Sequence, residues 1–228
     1  MSKLPLPILL AFLGGCAVPA TGGPEPWIDL SPRPGQDGLG GWESVSFGGE
    51  AEVERTGSGL RFGYGVALTG VRWASPELPD GRPLPREDYE LEVVAVRLGG
   101  ADFFCGLSFP VGDGGLSLIL GGWGGSLCGL SCIDGADASA NPTTRYRRFE
   151  SGRPYRARVR VQGGRVAVWL DDEALYALPV AGRRLELRAE IRPGGPLGVA
   201  SFQTAAEIRS LRIRRLPPVG REAPERSR

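Results

Sequence analysis

The residue types best suited to chemistry lie in one stretch of this sequence. Between Gly121 and Gly129 five glycines surround Trp123 and Ser126. Glycine lets a ligand or a second backbone approach closely and permits positive φ. An exposed indole there would be a flat platform for the apolar face of a sugar ring, with nearby polar groups fixing the hydroxyls. Asp134, Asp137, Asn141 and Arg145 follow in a loop-like segment. They could hydrogen-bond such hydroxyls, or their oxygens could hold Ca²⁺, although the spacing is not that of an EF-hand loop. The plainer reading of the same residues buries Trp123 between sheets and uses Asp134, Asp137 and Asn141 to cap turns. The sequence leaves both open.

Glycoside chemistry would need paired carboxylates on one face. The Glu-x-Asp-x-x-Glu pattern of jelly-roll glycosidases is absent. Glu90 and Glu92 share a strand face, but opposite the apolar one, so they are expected on a solvated outer surface. Asp171-Asp172-Glu173 reads as an exposed hairpin turn. If the chain is catalytic, Asp102 and Asp134 are the candidate acid/base pair. No metal site is expected as a fixed part of the chain.

The 228 residues contain no His, which excludes Ser-His-Asp and Cys-His nucleophile systems, an imidazole base and His-ligated zinc or copper. With 36 Gly and 20 Pro a helix bundle is disfavoured, because each interior Gly costs a helix about 1 kcal/mol and each Pro about 3. The apolar content of 41% still supports a folded core.

The elements that must position these residues read as strands. Tyr89, Leu91, Val93 and Ala95 alternate with a mixed face, and Tyr155, Ala157, Val159 and Val161 alternate with Arg156, Arg158 and Arg160. Phe103–Phe109 and Leu116–Leu120 form a hairpin with Asp113-Gly114 as its turn, and Gln162-Gly163-Gly164 turns the chain into Arg165–Leu170. Leu185, Leu187, Ala189 and Ile191 alternate with charged residues and predict another strand. Ile208–Ile213 closes the domain, with a phase slip near Ser210. Trp42, Trp73 and Trp169 are expected in the core. Many short antiparallel strands with turn punctuation give an all-β, two-sheet antiparallel β-sandwich, a jelly roll.

Leu4 to Leu13 is an apolar run of about 10 residues, of signal-peptide length and too short to span a bilayer. It ends in Leu13-Gly14-Gly15-Cys16, which resembles a bacterial lipobox. Residues 1–15 are therefore expected to be a lipoprotein signal peptide, with Cys16 the lipidated residue, and the acyl chains there would anchor the protein stably in a membrane. Residues 16–26 read as a flexible tether, 27–216 as the domain and 217–228 as a disordered tail. The location this implies is the extracytoplasmic side of a bacterial cell envelope. Cys105, Cys128 and Cys132 remain. Cys105 reads as a buried small hydrophobe, and a Cys128–Cys132 disulfide would close a very short loop.

Charge is uneven. Glu77 to Asp137 holds ten acidic residues and three Arg, whereas Arg145 to Arg192 holds twelve Arg and six acidic residues. Complementary neighbouring strands are the plainer explanation, and a polarised surface for an anionic partner is the sharper one. After removal of residues 1–15 the chain is neutral, with 26 Arg against 26 Asp and Glu, so nucleic acid is not an expected partner.

Several segments carry a family resemblance: Trp27-Ile28-Asp29-Leu30, Gly41-Trp42-Glu43, Asp88-Tyr89-Glu90-Leu91, Asp102-Phe103-Phe104-Cys105-Gly106-Leu107, Gly121-Gly122-Trp123-Gly124-Gly125, Cys132-Ile133-Asp134-Gly135 and Gly195-Pro196-Leu197-Gly198. Over Trp27 to Leu216 the chain resembles the bacterial 3-keto-disaccharide hydrolase-like domain, related to concanavalin A-like and laminin-G-like jelly rolls. The resemblance implies a jelly roll with a glycan-related, extracytoplasmic role. Three readings follow: a carbohydrate-binding domain, a hydrolase or lyase cleaving 3-keto-glycosides, and a structural envelope protein without a small ligand. Cleavage would proceed by proton abstraction next to the ketone, needing only a carboxylate base with Arg or a divalent cation on the oxyanion.

Overall fold

The alternation at Tyr89, Leu91, Val93 and Ala95 builds the spine of the fold. In the computed structural model, which describes residues 22–57 and 59–219, all four side chains are fully buried. The signal segment and Cys16 lie outside the described residues. In chain order the strands are β1 (Ile28–Asp29), β2 (Trp42–Ser44), β3 (Val53–Arg55), β4 (Leu60–Phe62), β5 (Leu68–Trp73), β6 (Tyr89–Gly100), β7 (Cys105–Val111) and β8 (Gly114–Gly121). A tight turn with left-handed residues (Gly122–Gly125) leads to β9 (Leu127–Ser131), β10 (Arg145–Tyr146), β11 (Pro154–Gln162), β12 (Arg165–Leu170), β13 (Glu173–Pro179), β14 (Gly198–Phe202) and β15 (Thr204–Arg215).

Two antiparallel sheets form a sandwich. The first runs β13-β12-β11-β6-β15-β4-β3, with β1 added to β15, and the second runs β10-β9-β8-β7-β14-β5-β2. Between them lie Tyr89, Leu91, Tyr155 and Val159 from the first sheet and Leu107, Phe109, Leu118, Leu120 and Leu130 from the second. Each such side chain contributes about 1.5–3 kcal/mol by leaving water. Both expected hairpins form, and the phase slip near Ser210 is a bulge between Ile208 and Ser210. The first hairpin turn is Gly112-Asp113, one residue earlier than expected, because Gly112 supplies the positive φ of 53°.

Three expectations are corrected. Residues 185–191 form no strand; they cross the outer face of the second sheet as an irregular strap. A Cβ at Gly114 would lie 2.4 Å from the Leu185 carbonyl, and one at Gly115 would touch Leu187 at 3.4 Å, so glycine makes room for the strap. Glu90 and Glu92 are not solvated. Both are buried beneath arginines of the flanking strands, where β6 pairs Glu90 with Arg160 and Arg214, and Glu92 with Arg158 and Arg212. Trp169 lies on the outer face under Arg158 and Arg160, 4.7 and 5.3 Å from its ring centroid, rather than in the core. At the start of the described residues the Glu25 amide donates to Arg215 and its carboxylate pairs with Arg82, and Trp27 at the start of the domain stacks under Arg212 and Arg214.

Cys105, Cys128 and Cys132 are buried free thiols, so no Cys128–Cys132 disulfide closes that loop. Burial pushes the Cys105 thiol up to about 12 and the Cys128 thiol up to about 11. Glu173–Pro179 is a strand that periodicity did not reveal, since Ala174, Leu175, Tyr176, Ala177 and Leu178 do not alternate.

Candidate functional site

The Gly-rich turn holds Trp123 out of the sandwich. β8 ends at Gly121 with φ of 83°, and Trp123 and Gly124 take left-handed φ values of 47° and 80°. The Ser126 amide closes the turn onto Gly122. The indole is 42% exposed, which removes the reading that buries it between the sheets.

Arg97 fixes this turn from below. It is only 7% exposed and lies 5.2 Å from the centroid of Phe104. Its guanidinium donates to the carbonyls of Gly125 (2.9 Å), Asp102 (3.2 Å), Gly121 (3.2 Å) and Phe149 (3.4 Å). Burial pulls its pKa below the usual guanidinium value. Asp102 holds the same turn from the other side. Its Oδ1 accepts from the Phe103 amide at 2.8 Å and its Oδ2 from the Gly124 amide at 3.4 Å. Thr204 Oγ1 donates to the Asp102 carbonyl at 3.0 Å, tying this corner to β15.

Trp123 and Asp102 line one cleft of about 490 Å³ on the outer side of the second sheet. Phe47, Phe103, Ile191 and Phe202 give it apolar walls, and Phe103 stacks on Phe202 with centroids 5.9 Å apart. Ser46, Ser131, Arg188 and Glu190 give it polar groups. The strap thus supplies one wall. It is held by Arg188, which pairs with Asp137 at 3.2 Å and with Glu190 at 2.6 Å, and by reciprocal backbone bonds between Cys132 and Glu186.

The other expected site residues are placed elsewhere. Asp134 accepts from Arg183 Nη1 at 2.8 Å and from the Arg184 amide at 2.9 Å, and these bonds hold its carboxyl below the usual range. Of the expected acid/base pair, Asp102 lines the cleft and Asp134 does not. Asp137 accepts from the Ser139 amide and hydroxyl at 2.9 and 2.6 Å. Asn141 Oδ1 accepts from the Thr143 amide and hydroxyl, while Nδ2 donates to Leu130 and Asp137 carbonyls at 2.7 and 2.6 Å. Both residues are turn builders, as the plainer reading held. Arg145 donates to the Pro142 and Thr144 carbonyls and lies over Tyr176. Ser126 caps the Trp123 turn and does not line the cleft. The oxygens expected to hold Ca²⁺ are thus committed to protein donors, and among the described residues no three Cys, Asp or Glu side chains converge as a ligand set.

Phe47, Phe202, Arg188 and Glu190 were missed. Phe202 carries a faint signal, as the aromatic at the outward position after Gly198 and Ala200. The others reach the cleft only through the fold.

No protein-family model matches the sequence, and no curated protein matches it. Among solved structures, the exoplasmic/lumenal domain of VIP36 in its Ca²⁺/Man-bound form superposes with a TM-score of 0.54 at 13% identity, over 84% of this chain and 91% of that one. The Ca²⁺/Man2-bound form gives 0.53 at 14% identity, over 87% and 90%. The carbohydrate-binding module CBM66 from Bacillus subtilis matches 75% of this chain and 93% of its own at 14% identity, with a TM-score of 0.47. The VIP36 likeness is one of fold, and with the two antiparallel sheets it makes this domain a jelly-roll sandwich.

Proposed function

We propose that the domain binds carbohydrate in the Trp123 cleft, and that the protein is a lipoprotein held on the extracytoplasmic side of a bacterial envelope by acylated Cys16. The observation that carries the binding reading is the half-exposed indole of Trp123, held rigidly beside the Asp102 carboxylate at the mouth of an aromatic-walled cleft. A sugar ring would lay its apolar face on the indole, and Asp102, Ser46 and Arg188 would meet its hydroxyls. The turn is pre-organised by Arg97, so little freedom is lost on binding. The shared fold with a domain whose structures hold mannose sugars supports the same reading. The test is a glycan array with the folded protein. Trp123→Ala should abolish the signal and Asp102→Asn should weaken it. A folded wild type that binds no glycan would sink the reading and leave a structural envelope role.

A second reading has its own observation. Asp102 and Glu190 both line the cleft, which puts two carboxylates and the Arg188 guanidinium on one surface. One carboxylate could abstract the C2 proton beside the ketone of a 3-keto-glycoside while Arg188 stabilises the enolate oxygen. The enolate would then expel the C1 oxygen substituent, which takes a proton from the other carboxyl group, and C1=C2 forms as the glycosidic bond breaks. Incubation with 3-keto-glucosides decides it. Turnover lost in Glu190→Gln or Asp102→Asn supports an enzyme, and no product leaves the binder.

A further inference from the structure

A second cleft, of about 1010 Å³, opens at the opposite end of the β7–β8 hairpin from Trp123. One wall is the Gly112-Asp113 turn of the second sheet, and the other is the Gly163-Gly164 turn of the first. The segment leading into the strap, Val180 to Arg184, runs along it and reaches Leu185, so the strap touches both clefts. The lining includes apolar Val111, Val161, Val180 and Leu185.

Three guanidinium groups line this cleft from two segments, Arg165 at the start of β12 and Arg183 and Arg184 just before the strap. Among the described residues Arg165 is exposed and pairs with no carboxylate. Arg184 turns its Nε toward Glu186 at 3.4 Å and its Nη2 over Gly135, and most of its side chain faces solvent. Arg183 gives one nitrogen to Asp134 and keeps its other donors. Asp113 and Glu87 also line the cleft, and Asp134 and Glu186 pair with Arg183 and Arg184, so among the described residues Arg165 is the lining guanidinium free of a carboxylate. Nothing lies within 4 Å of where a Cβ would stand at Gly164, which leaves room for a ligand against the backbone.

We propose that this cleft is a second saccharide seat, specific for a sugar that carries a carboxylate. The planar guanidiniums of Arg165 and Arg184 would take the carboxylate in paired hydrogen bonds. The apolar lining would take the ring face, and Asp113 would accept from a hydroxyl. A bare inorganic anion would use only the guanidiniums and gain nothing from the rest. The proposal extends the saccharide reading to a site that contains none of the Trp123 residues, so each can fail without the other.

The test is isothermal titration of the folded protein with tri-galacturonic acid and with its methyl ester, at low salt. The acid should bind and the ester should bind about tenfold more weakly or not at all. R165Q with R184Q should remove acid binding while leaving the melting temperature in place, because both side chains are exposed. Trp123→Ala should leave acid binding unchanged. Equal binding of acid and ester, or acid binding that survives in R165Q/R184Q, overturns the proposal. So does inorganic phosphate binding as tightly as the sugar acid. Acid binding lost in Trp123→Ala but kept in R165Q/R184Q overturns this seat while supporting the first cleft.

Discussion

Arg97 donates to the Gly125 carbonyl at 2.9 Å from a guanidinium that, among the described residues, pairs with no carboxylate. Its other acceptors are also main-chain carbonyls, so one buried charge stitches the corner after β6, the Trp123 turn and the Phe149 segment together. Removing it leaves several carbonyls without a donor, each costing about 1–3 kcal/mol where it stays dry. Arg97→Met is expected to destabilise the domain by about 3 kcal/mol in urea unfolding. In the folded fraction Trp123 should become more accessible to acrylamide quenching. Arg97→Lys keeps the charge but not the fork geometry, and should fall between the two. Unchanged stability and quenching in Arg97→Met would show that the turn holds without it.

Gly121 and Gly124 make a matched pair for the same corner. Both have φ near 80°, so alanine at either costs roughly 1–2 kcal/mol of backbone strain. A Cβ at Gly121 would sit 2.2 Å from Arg97 Nη2, whereas one at Gly124 would meet nothing within 4 Å. Gly121→Ala should therefore be the more destabilising of the two, and it alone should weaken binding in the Trp123 cleft. Thermal melts of both variants beside a glycan titration check this.

Glu90 is fully buried between Arg160, 2.7 Å away on β11, and Arg214, which donates from Nε at 2.7 Å on β15. Burial pushes its carboxyl up, but the two arginines outweigh that and hold it below 4.5. A depressed folded pKa gives stability that is fully present above the unfolded value and is lost as pH falls through the folded one. Glu90→Gln, which leaves both arginines unpaired, should cost about 3 kcal/mol at pH 7. The gap from wild type should stay constant down to about pH 5 and narrow below it. Urea titrations at pH 7, 5, 4 and 3 measure the gap, and a gap that stays flat at pH 3 would remove the Glu90 pairing as its cause.

The thiols give a simpler check on the core. With burial raising Cys105 to about 12 and Cys128 to about 11, neither carries appreciable thiolate at pH 8. Both should resist a disulfide reagent in the native protein and react at once in 6 M guanidinium. Rapid native labelling of either, located by peptide mapping, would mean that β7 or β9 opens.

How much of this could be read from the residues depends on how local the signal is. Alternation in β6 and β11 found the inner face, because a strand's period of two is set by adjacent residues. It could not find that the outer face is also covered. That follows from pairing Glu90 and Glu92 with arginines roughly 70 to 120 residues away, and register is not written in either strand alone. The strap alternates like a strand because Leu185, Leu187 and Ile191 face down onto the second sheet, yet its backbone finds only short pairing at Cys132 and Glu186. In the site, the glycine run exposed Trp123 and placed it near Asp102. Phe47, Arg188 and Phe202 come from three distant segments with no shared motif.

Asp134 and Asn141 separate what was legible as polarity from what acts in the cleft. Asn141 spends both ends of its amide on four protein partners, so it shapes the loop that carries Asp137. Asn141→Ala should cost about 2 kcal/mol of stability, since the Leu130 and Asp137 carbonyls and the Thr143 donors lose their partner together. Its effect on glycan affinity should stay within about twofold, a few tenths of a kcal/mol. Asp134→Asn removes an exposed ion pair to Arg183 and should change neither glycan affinity in the Trp123 cleft nor the ordering of the Trp123 turn. Asp137→Asn touches the strap through Arg188, and it should weaken binding modestly by loosening that wall. The three variants, titrated with whichever glycan the array selects, should rank Asp137→Asn as the weakest binder. A loss in Asp134→Asn equal to that in Trp123→Ala would place the sugar across the Ile133–Asp134 turn and not in the cleft.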